Sequence, residues 1–216
     1  MAEITKKNDF VEIEYVGYAN GKIFDTNIKT EAKKIDLNIE ASPLIVCIGK
    51  EMLVKGFDNA LENKEPGKKY KIKISPEQGF GKRNPKLIKI IPISIFKKQN
   101  LNPIPGLMLN LDGLIAKILS ISGGRVFVDF NNPLAGKDIE YEFTIKRLVT
   151  DETEKINALQ DFFFKKRFKF QIEQSKIIFD KEASQFIQFF KNNFKELLGK
   201  EIEAEEEKKE LVKKLQ

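Results

Sequence analysis

Residues 11–26 read VEIEYVGYANGKIFDT. Val11, Ile13 and Tyr15 alternate with Glu12 and Glu14, the period of a strand with one dry and one wet face. Asn20-Gly21 then separates this run from a second one, and that dipeptide suits the left-handed positions of a tight hairpin. The same period of two returns downstream. Tyr70, Ile72 and Ile74 alternate with lysines, Val126, Val128 and Phe130 with Phe127 and Asp129, and Tyr141, Phe143 and Ile145 with Glu142, Thr144 and Lys146. Strands with one solvated face belong to antiparallel sheets, so residues 1–150 are predicted to be mainly antiparallel β. One short helix is predicted over Phe57–Glu62, after Gly56 and before the Pro66-Gly67 turn.

Punctuation changes near Thr150. All 8 prolines and 12 of the 13 glycines precede it, whereas 10 of the 18 phenylalanines follow it. Residues 1–150 carry 24 Lys/Arg against 18 Asp/Glu, which accounts for the whole formal charge of +6, and residues 151–216 carry 14 of each. A domain boundary is therefore predicted at Thr150. With 34 lysines and 4 arginines, the basic balance lacks the residue best suited to bidentate phosphate and guanine readout, so no nucleic-acid partner is expected.

Composition also excludes chemistry. No histidine is present, which removes imidazole bases, Ser-His-Asp and Cys-His nucleophiles and histidine-ligated zinc. Cys47 is the single cysteine, so there is no intrachain disulfide and no multi-cysteine metal site; within Val46-Cys47-Ile48 it reads as a buried thiol. Gly79-Phe80-Gly81 has no Gly-Lys-Ser/Thr after it and does not read as a phosphate loop. No apolar run is long enough to span a membrane, and MAEITKKNDF has no apolar signal region, so a cytoplasmic location is expected. No metal or other cofactor is expected. Asp25, between Phe24 and Thr26, reads from the residues alone as a strand-end cap. What remains is an ample supply of aromatic side chains beside one carboxylate, which suits an apolar peptide better than acid–base work.

Four stretches in order resemble the FKBP-type peptidyl-prolyl cis-trans isomerases. They are residues 11–26; PLIVCIGKEMLVKGFDNAL at 43–61; ISPEQGFG at 74–81; and NNPLAG at 131–136, which resembles an element of SlyD-like members. About 50 residues separate the last two, where the family usually makes a short flap. The resemblance covers the first 150 residues or so. It implies a long, archaeal-type form of the SlyD-like subclass, with a domain inserted in the flap and an extra C-terminal domain. The fold class expected is α+β: an antiparallel half-barrel with a short helix (1–85 and 132–150), a small β insert (86–131) and an α-rich C-terminal domain (151–216).

The resemblance also implies a site. Catalytic positions would be Tyr15, Phe24, Asp25, Phe57, Phe80 and Tyr141, with Leu44, Leu53, Val54, Leu134 and Ala135 binding substrate. Leu44 and Val54 read equally well as plain sheet core. Three residues depart from the family pattern: Phe57 stands for the frequent Trp, Phe80 for Tyr and Asn132 for His. The implied activity is isomerisation of X-Pro bonds in unfolded or partly folded polypeptides, together with chaperone action. Its rival is a non-catalytic holdase on the same fold. Prolyl isomerisation breaks no bond; its barrier of ~18–20 kcal/mol is lost amide resonance. A dry pocket favours the less dipolar twisted amide, so the activity needs no imidazole.

The insert carries 6 Lys/Arg against 2 Asp/Glu. Strands are predicted at Leu114–Ser120 and Arg125–Phe130 around Gly123-Gly124. Ile90, Ile91, Ile93, Ile95 and Phe96 exceed what forty-odd residues can bury, so some of the insert is expected to show an apolar surface. Beyond Thr150, helices are predicted at Asp151–Phe164 and Asp180–Leu198, a strand at Lys176–Phe179 and a charged helix over Glu201–Leu215. Phe186, Phe189, Phe190, Phe194 and Leu197 follow helical spacing. From this stripe and the neutral charge a homodimer through the C-terminal domain is expected.

Overall fold

The structure is a computed structural model that describes residues 3–37, 43–111 and 113–205. Strand β1 (Phe10–Ala19) is the spine of the first sheet, which also holds β2 (Lys22–Thr26), β3 (Leu44–Cys47), β4 (Lys69–Ile74) and β9 (Ile139–Leu148). The order is β2-β1-β9-β4, all antiparallel, and β3 shares the outer edge of β1 with β2. β3 takes the first half of β1, from Phe10↔Cys47 to Ile13↔Leu44, and β2 the second, from Val16↔Thr26 to Ala19↔Lys22. The β1–β2 loop is only Asn20-Gly21, at φ +50° and +73°, a backbone a β-branched pair could not adopt without strain. Between β2 and β3, residues 29–32 make a single turn of helix (α1, Lys29–Ala32).

The alternation of β1 has the predicted consequence. Val11, Ile13 and Tyr15 face a core shared with Tyr141, Phe143 and Ile145 of β9 and with Phe57 and Leu61, carried on or next to helix α2 (Lys55–Ala60). Glu12 and Glu14 face water, where they pair with Arg147 (2.8 Å) and Lys146 (3.1 Å). Each fully buried side chain here contributes about 1.5–3 kcal/mol, whereas the exposed pairs add roughly 0–1 kcal/mol. Apolar burial thus sets the fold, and the ion pairs only decorate it.

The insert is a separate four-stranded sheet, ordered β5-β8-β7-β6, from β5 (Ile88–Pro92), β6 (Met108–Leu111), β7 (Leu114–Ser122) and β8 (Arg125–Asp129). Helix α3 (Ile93–Lys98) closes one face, and its Phe96 packs among Ala116, Ile118, Val126 and Val128. Two segments of chain join insert to sheet, and a polar knot ties them. Asn131 Oδ1 accepts from the Asn84 N–H (2.8 Å), and Asn131 Nδ2 donates to the Asn84 carbonyl (3.0 Å) and to Asp129 Oδ1 (2.6 Å). Arg83 pairs with the buried Asp129 carboxylate.

Beyond Thr150, Asp151 caps α4 (Glu152–Leu159), accepting from the Glu154 N–H at 2.8 Å. A π-turn over Gln160–Phe164 ends that helix, short of a continuous run to Phe164. Strands β10 (Phe170–Ile172), β11 (Lys176–Phe179) and β12 (Glu201–Ala204) flank α5 (Ser184–Leu198), so this α-rich region also holds a small three-stranded sheet. The charged helix expected from Glu201 does not form there. Ile202 and Ala204 alternate with Glu201 and Glu203, and that period of two lays β12 parallel to β11, with Ile177 opposite Ile202. Residues 206–216 lie outside the described ones.

Thr150 marks a change of composition but not a gap in the core. Phe10 and Cys47, on the first sheet, belong to one apolar cluster with Ile156, Leu159, Phe164, Phe179 and Phe194. The phenylalanine stripe of α5 is largely spent in this cluster: Phe194 is fully buried, and Phe190 lies against Phe163 and Phe164, with ring centroids 4.9 and 5.7 Å apart. Phe189 alone of the stripe stands out into solvent, 77% exposed.

Candidate functional site

The sheet and α2 bring together five rings from well-separated stretches. Phe57, near the start of α2, stacks on Tyr141 of β9 at 4.3 Å and 19°. Tyr15 of β1 meets both edge-on, at 5.7 and 5.8 Å. Phe24 of β2 meets Tyr141 at 5.7 Å and Phe80 at 5.8 Å, again edge-on. Edge-to-face contact between aromatic quadrupoles is favourable, so the cluster is rigid as well as apolar. Phe57 and Tyr141 are buried, and Phe24 and Phe80 are half-buried.

Leu44, Leu53, Val54 and Leu134 pack half-buried around the same core. Ala135 does not pack against it. It sits half-buried in the 131–136 turn, its N–H bonded to the Asn132 carbonyl at 2.9 Å. That turn is pinned across the cleft by Gly136 N–H donating to the Gly81 carbonyl, 2.8 Å. The Gly79-Phe80-Gly81 turn thus presents a ring to Phe24.

One carboxylate enters this apolar setting. Tyr15 O–H donates to Asp25 Oδ2 at 2.9 Å, so Asp25 is more than a strand-end cap. Burial first, and then the Asp25 carboxylate, holds the Tyr15 phenol well above its ordinary range. Burial does the same to Tyr141, with Asp25 adding to it. Both phenols are therefore neutral donors at any physiological pH. The arrangement offers no acid and base poised to exchange a proton; it offers an apolar cluster of rings with an oriented hydrogen-bonded pair beside it.

Four residues unremarked in the sequence hold this geometry. Tyr15 lies where the edge of β1 passes from β3 to β2, a gap in the ladder. Asn27 fills it, accepting from the Tyr15 N–H (2.9 Å) and donating to the Ile13 carbonyl (2.8 Å). Thr26 Oγ1 donates to the Tyr15 carbonyl at 2.7 Å. Asp58 is buried within α2 and accepts from the N–H groups of Gly49 and Glu51, both 2.9 Å, which fixes the loop leading to Leu53 and Val54. Gly17 is closely approached by rings: a Cβ there would lie 2.8 Å from Tyr141 Cε1 and 2.9 Å from Phe24 Cζ. A threonine that ends a strand, followed by asparagine, is the only legible sign of the first pair.

A groove of about 590 Å³ lies on the outer face of the same sheet, beside Glu14, Tyr18, Lys34, Lys71 and Glu142. Its charges pair with one another, as Lys34 does with Glu31 (2.7 Å) and Lys71 with Glu142 (3.0 Å), and it lacks the ring-lined floor.

A half-barrel closed by a short helix over an aromatic cluster, with no acid–base pair, leaves shape and apolarity as its means of action. Comparison with known sequences gives the family. The profile of the FKBP-type peptidyl-prolyl cis-trans isomerases matches residues 2–97, and that of the FKBP26 IF domain matches residues 89–134, which contain nearly all of the second sheet. A short-type peptidyl-prolyl cis-trans isomerase of Methanocaldococcus jannaschii is 31% identical over 157 residues, 71% of this chain and 100% of the relative. A probable FKBP-type 16 kDa isomerase of Pseudomonas fluorescens is 32% identical over 116 residues, 51% of this chain and 76% of the relative. The isomerase SlyD of Haemophilus influenzae is 27% identical over 112 residues, 46% and 54% of the two chains. The chain belongs to the FKBP-type peptidyl-prolyl cis-trans isomerase family. It is an enzyme, and its reaction is rotation about X-Pro amides.

Proposed function

We propose that the cleft between α2 and the 131–136 turn is the site of that rotation, acting on proline-containing segments of unfolded or partly folded proteins. The supporting observation is the Phe57–Tyr141 stack, flanked by the edges of Phe24 and Phe80 with Asp25 bonded to Tyr15 at its rim. The half-buried Phe24 and Phe80 hold the pyrrolidine ring, with this stack as the floor beneath them. Leu44, Leu53, Val54 and Leu134 exclude water from the twisting amide, and Ala135 lies in the turn that bounds the cleft. Asp25 orients Tyr15 and the peptide backbone without shuttling a proton. Asp25→Ala and Tyr15→Ala slow proline-peptide isomerisation while far-UV spectra stay native. Unchanged rates in both variants place the chemistry elsewhere.

The insert serves as the chaperone module and captures clients, a reading supported by its exposed Ile90, Ile104, Leu114 and Ile115. The same residues favour a second reading, a holdase in which the cleft is idle; activity on a short proline peptide separates the two. The cytoplasm is the compartment proposed, and the described helices include none long and apolar enough to cross a membrane. A twofold contact between copies would centre on Phe189 of α5.

A further inference from the structure

The two faces of the insert sheet differ. One is covered by α3 and carries Ala116, Ile118, Val126 and Val128. Cross-strand partners in an antiparallel sheet share a face, so the register assigns the other. Ile90 lies opposite Phe127, and Phe127 opposite Ser120. Lys117 lies opposite both Met108 and Asp129; Ile115 lies opposite Asn110, and Arg125 opposite Ser122. No described helix lies on this second face, and Ile90, Met108 and Ile115 are 55%, 43% and 60% exposed there. Phe127 is half-exposed and takes no part in the insert core.

The exposed charge on this face, among the described residues, has one sign. Lys117 and Arg125 stand exposed among the apolar side chains, and neither has an ion-pair partner among the described residues. Elsewhere many cations are paired, as Lys71, Lys146, Arg147, Arg167 and Lys176 are. Asp129 is the one carboxylate among the described residues of this sheet, and it is buried and already held by Arg83 and Asn131. The face is therefore an apolar strip with two positive charges that no described residue compensates.

We propose that this face selects extended client segments in which apolar residues are interspersed with Asp or Glu. The proposal rests on client capture by the insert, as read above, and names the chemistry of the captured segment. Apolar contact supplies most of the affinity, and the cations supply the choice. A segment rich in Lys must leave its own charges against Lys117 and Arg125, while an acidic one neutralises them. Nucleic acid fits less well, since a stacking platform needs several rings and Phe127 is the single aromatic on the face.

The test uses the full chain and three fluorescein-labelled peptides of equal length. They share one set of Val, Leu and Phe residues and carry Glu, Gln or Lys at the positions between. Anisotropy titration is expected to rank affinity Glu, then Gln, then Lys, with roughly tenfold between the extremes at low salt. The spread narrows as salt rises past about 0.15 M, a readout that needs no variant. Lys117→Glu with Arg125→Glu, checked for native far-UV signal, inverts the ranking. Equal affinity for the three peptides, or a ranking the double reversal leaves intact, overturns the proposal while capture itself stands. Failure to bind any peptide overturns capture and the proposal together. Tighter binding of an oligothymidylate than of the Glu peptide assigns the cations to nucleic acid, and also overturns it.

Discussion

Gly17→Ala adds one methyl group at the place where the site's rings converge on the backbone. The new Cβ would lie 2.8 Å from Tyr141 Cε1, 2.9 Å from Phe24 Cζ and 3.0 Å from Phe24 Cε1. Carbon atoms at rest sit roughly 3.5–4.0 Å apart, so the Tyr141 ring must retreat by about 0.7 Å or more. Tyr141 has little room, because Phe57 is stacked behind it at 4.3 Å. Phe24 moves more easily but carries Phe80 with it. Overpacking of this kind costs about 1–3 kcal/mol, which for a chain of this length lowers the melting temperature by roughly 2–12 °C. The catalytic loss should be larger than the loss of stability implies. A misplacement of about 1 Å at a reacting centre can cost 10²-fold, so turnover of a proline tetrapeptide is expected to fall roughly ten- to hundredfold at a temperature where the variant is fully folded. Differential scanning fluorimetry and a peptide isomerisation assay on the same preparation give both numbers. A variant that melts and turns over like the parent refutes the assignment of these rings to the site.

Other outcomes follow from the same geometry. Tyr15→Phe keeps the ring and removes the 2.9 Å bond to Asp25; it should cost about 0.5–1.5 kcal/mol of stability and slow isomerisation by less than Tyr15→Ala does. Replacing residues 87–130 by a short loop, leaving the Asn84–Asn131 pair intact, should spare tetrapeptide turnover and sharply reduce catalysis of a proline-limited refolding reaction; equal losses on both would reduce the insert to a support of the fold. Burial raises the Cys47 thiol to about 12 from 9.0, so native chain at pH 8 should ignore a thiol reagent that labels it promptly in denaturant. The unfolded thiol ionises first, so its contribution to stability is full below pH 9 and is lost as pH climbs toward 12. Phe189→Lys should leave stability within about 0.5 kcal/mol of the parent, and if copies associate through α5 it should lower the sedimentation coefficient.

The strands of the first 150 residues are legible because one face is wet: Glu12, Glu14, Lys71 and Lys73 declare the period that Ile13 and Ile72 share. Phe57, Tyr15 and Asp25 are legible only through resemblance, since nothing local says that distant stretches will meet. Asp58 is hidden for the opposite reason. An acid on a short helix reads as surface, and only the Gly49 and Glu51 amides it caps explain its burial. Gly17 in a strand reads as a weak point until the rings that crowd it are in view. Toward the C-terminus, competing patterns overlap. The charges of 201–215 suggest a solvated helix, yet Ile202 and Ala204 keep strand period and find β11 waiting. The phenylalanines of α5 suggest an interface because a sequence does not reveal that Phe163, Phe164 and Phe179 are there to meet them.

The apolar cluster that joins Phe10 and Cys47 to Phe164, Phe179 and Phe194 has a consequence for how the protein is made. A ribosome emits β1 early, but β9, its longest partner, only after the insert, and the cover for Phe10 only after α5 has emerged. Until then the isomerase is itself a nascent chain with bare aromatic surface and X-Pro bonds of its own. Its insert, by contrast, closes on local contacts between residues 88 and 129 and completes before the sheet that flanks it. If the insert is the client-holding module, as proposed, that module exists before the catalytic one, and the first unfinished polypeptide within its reach is the one it is attached to.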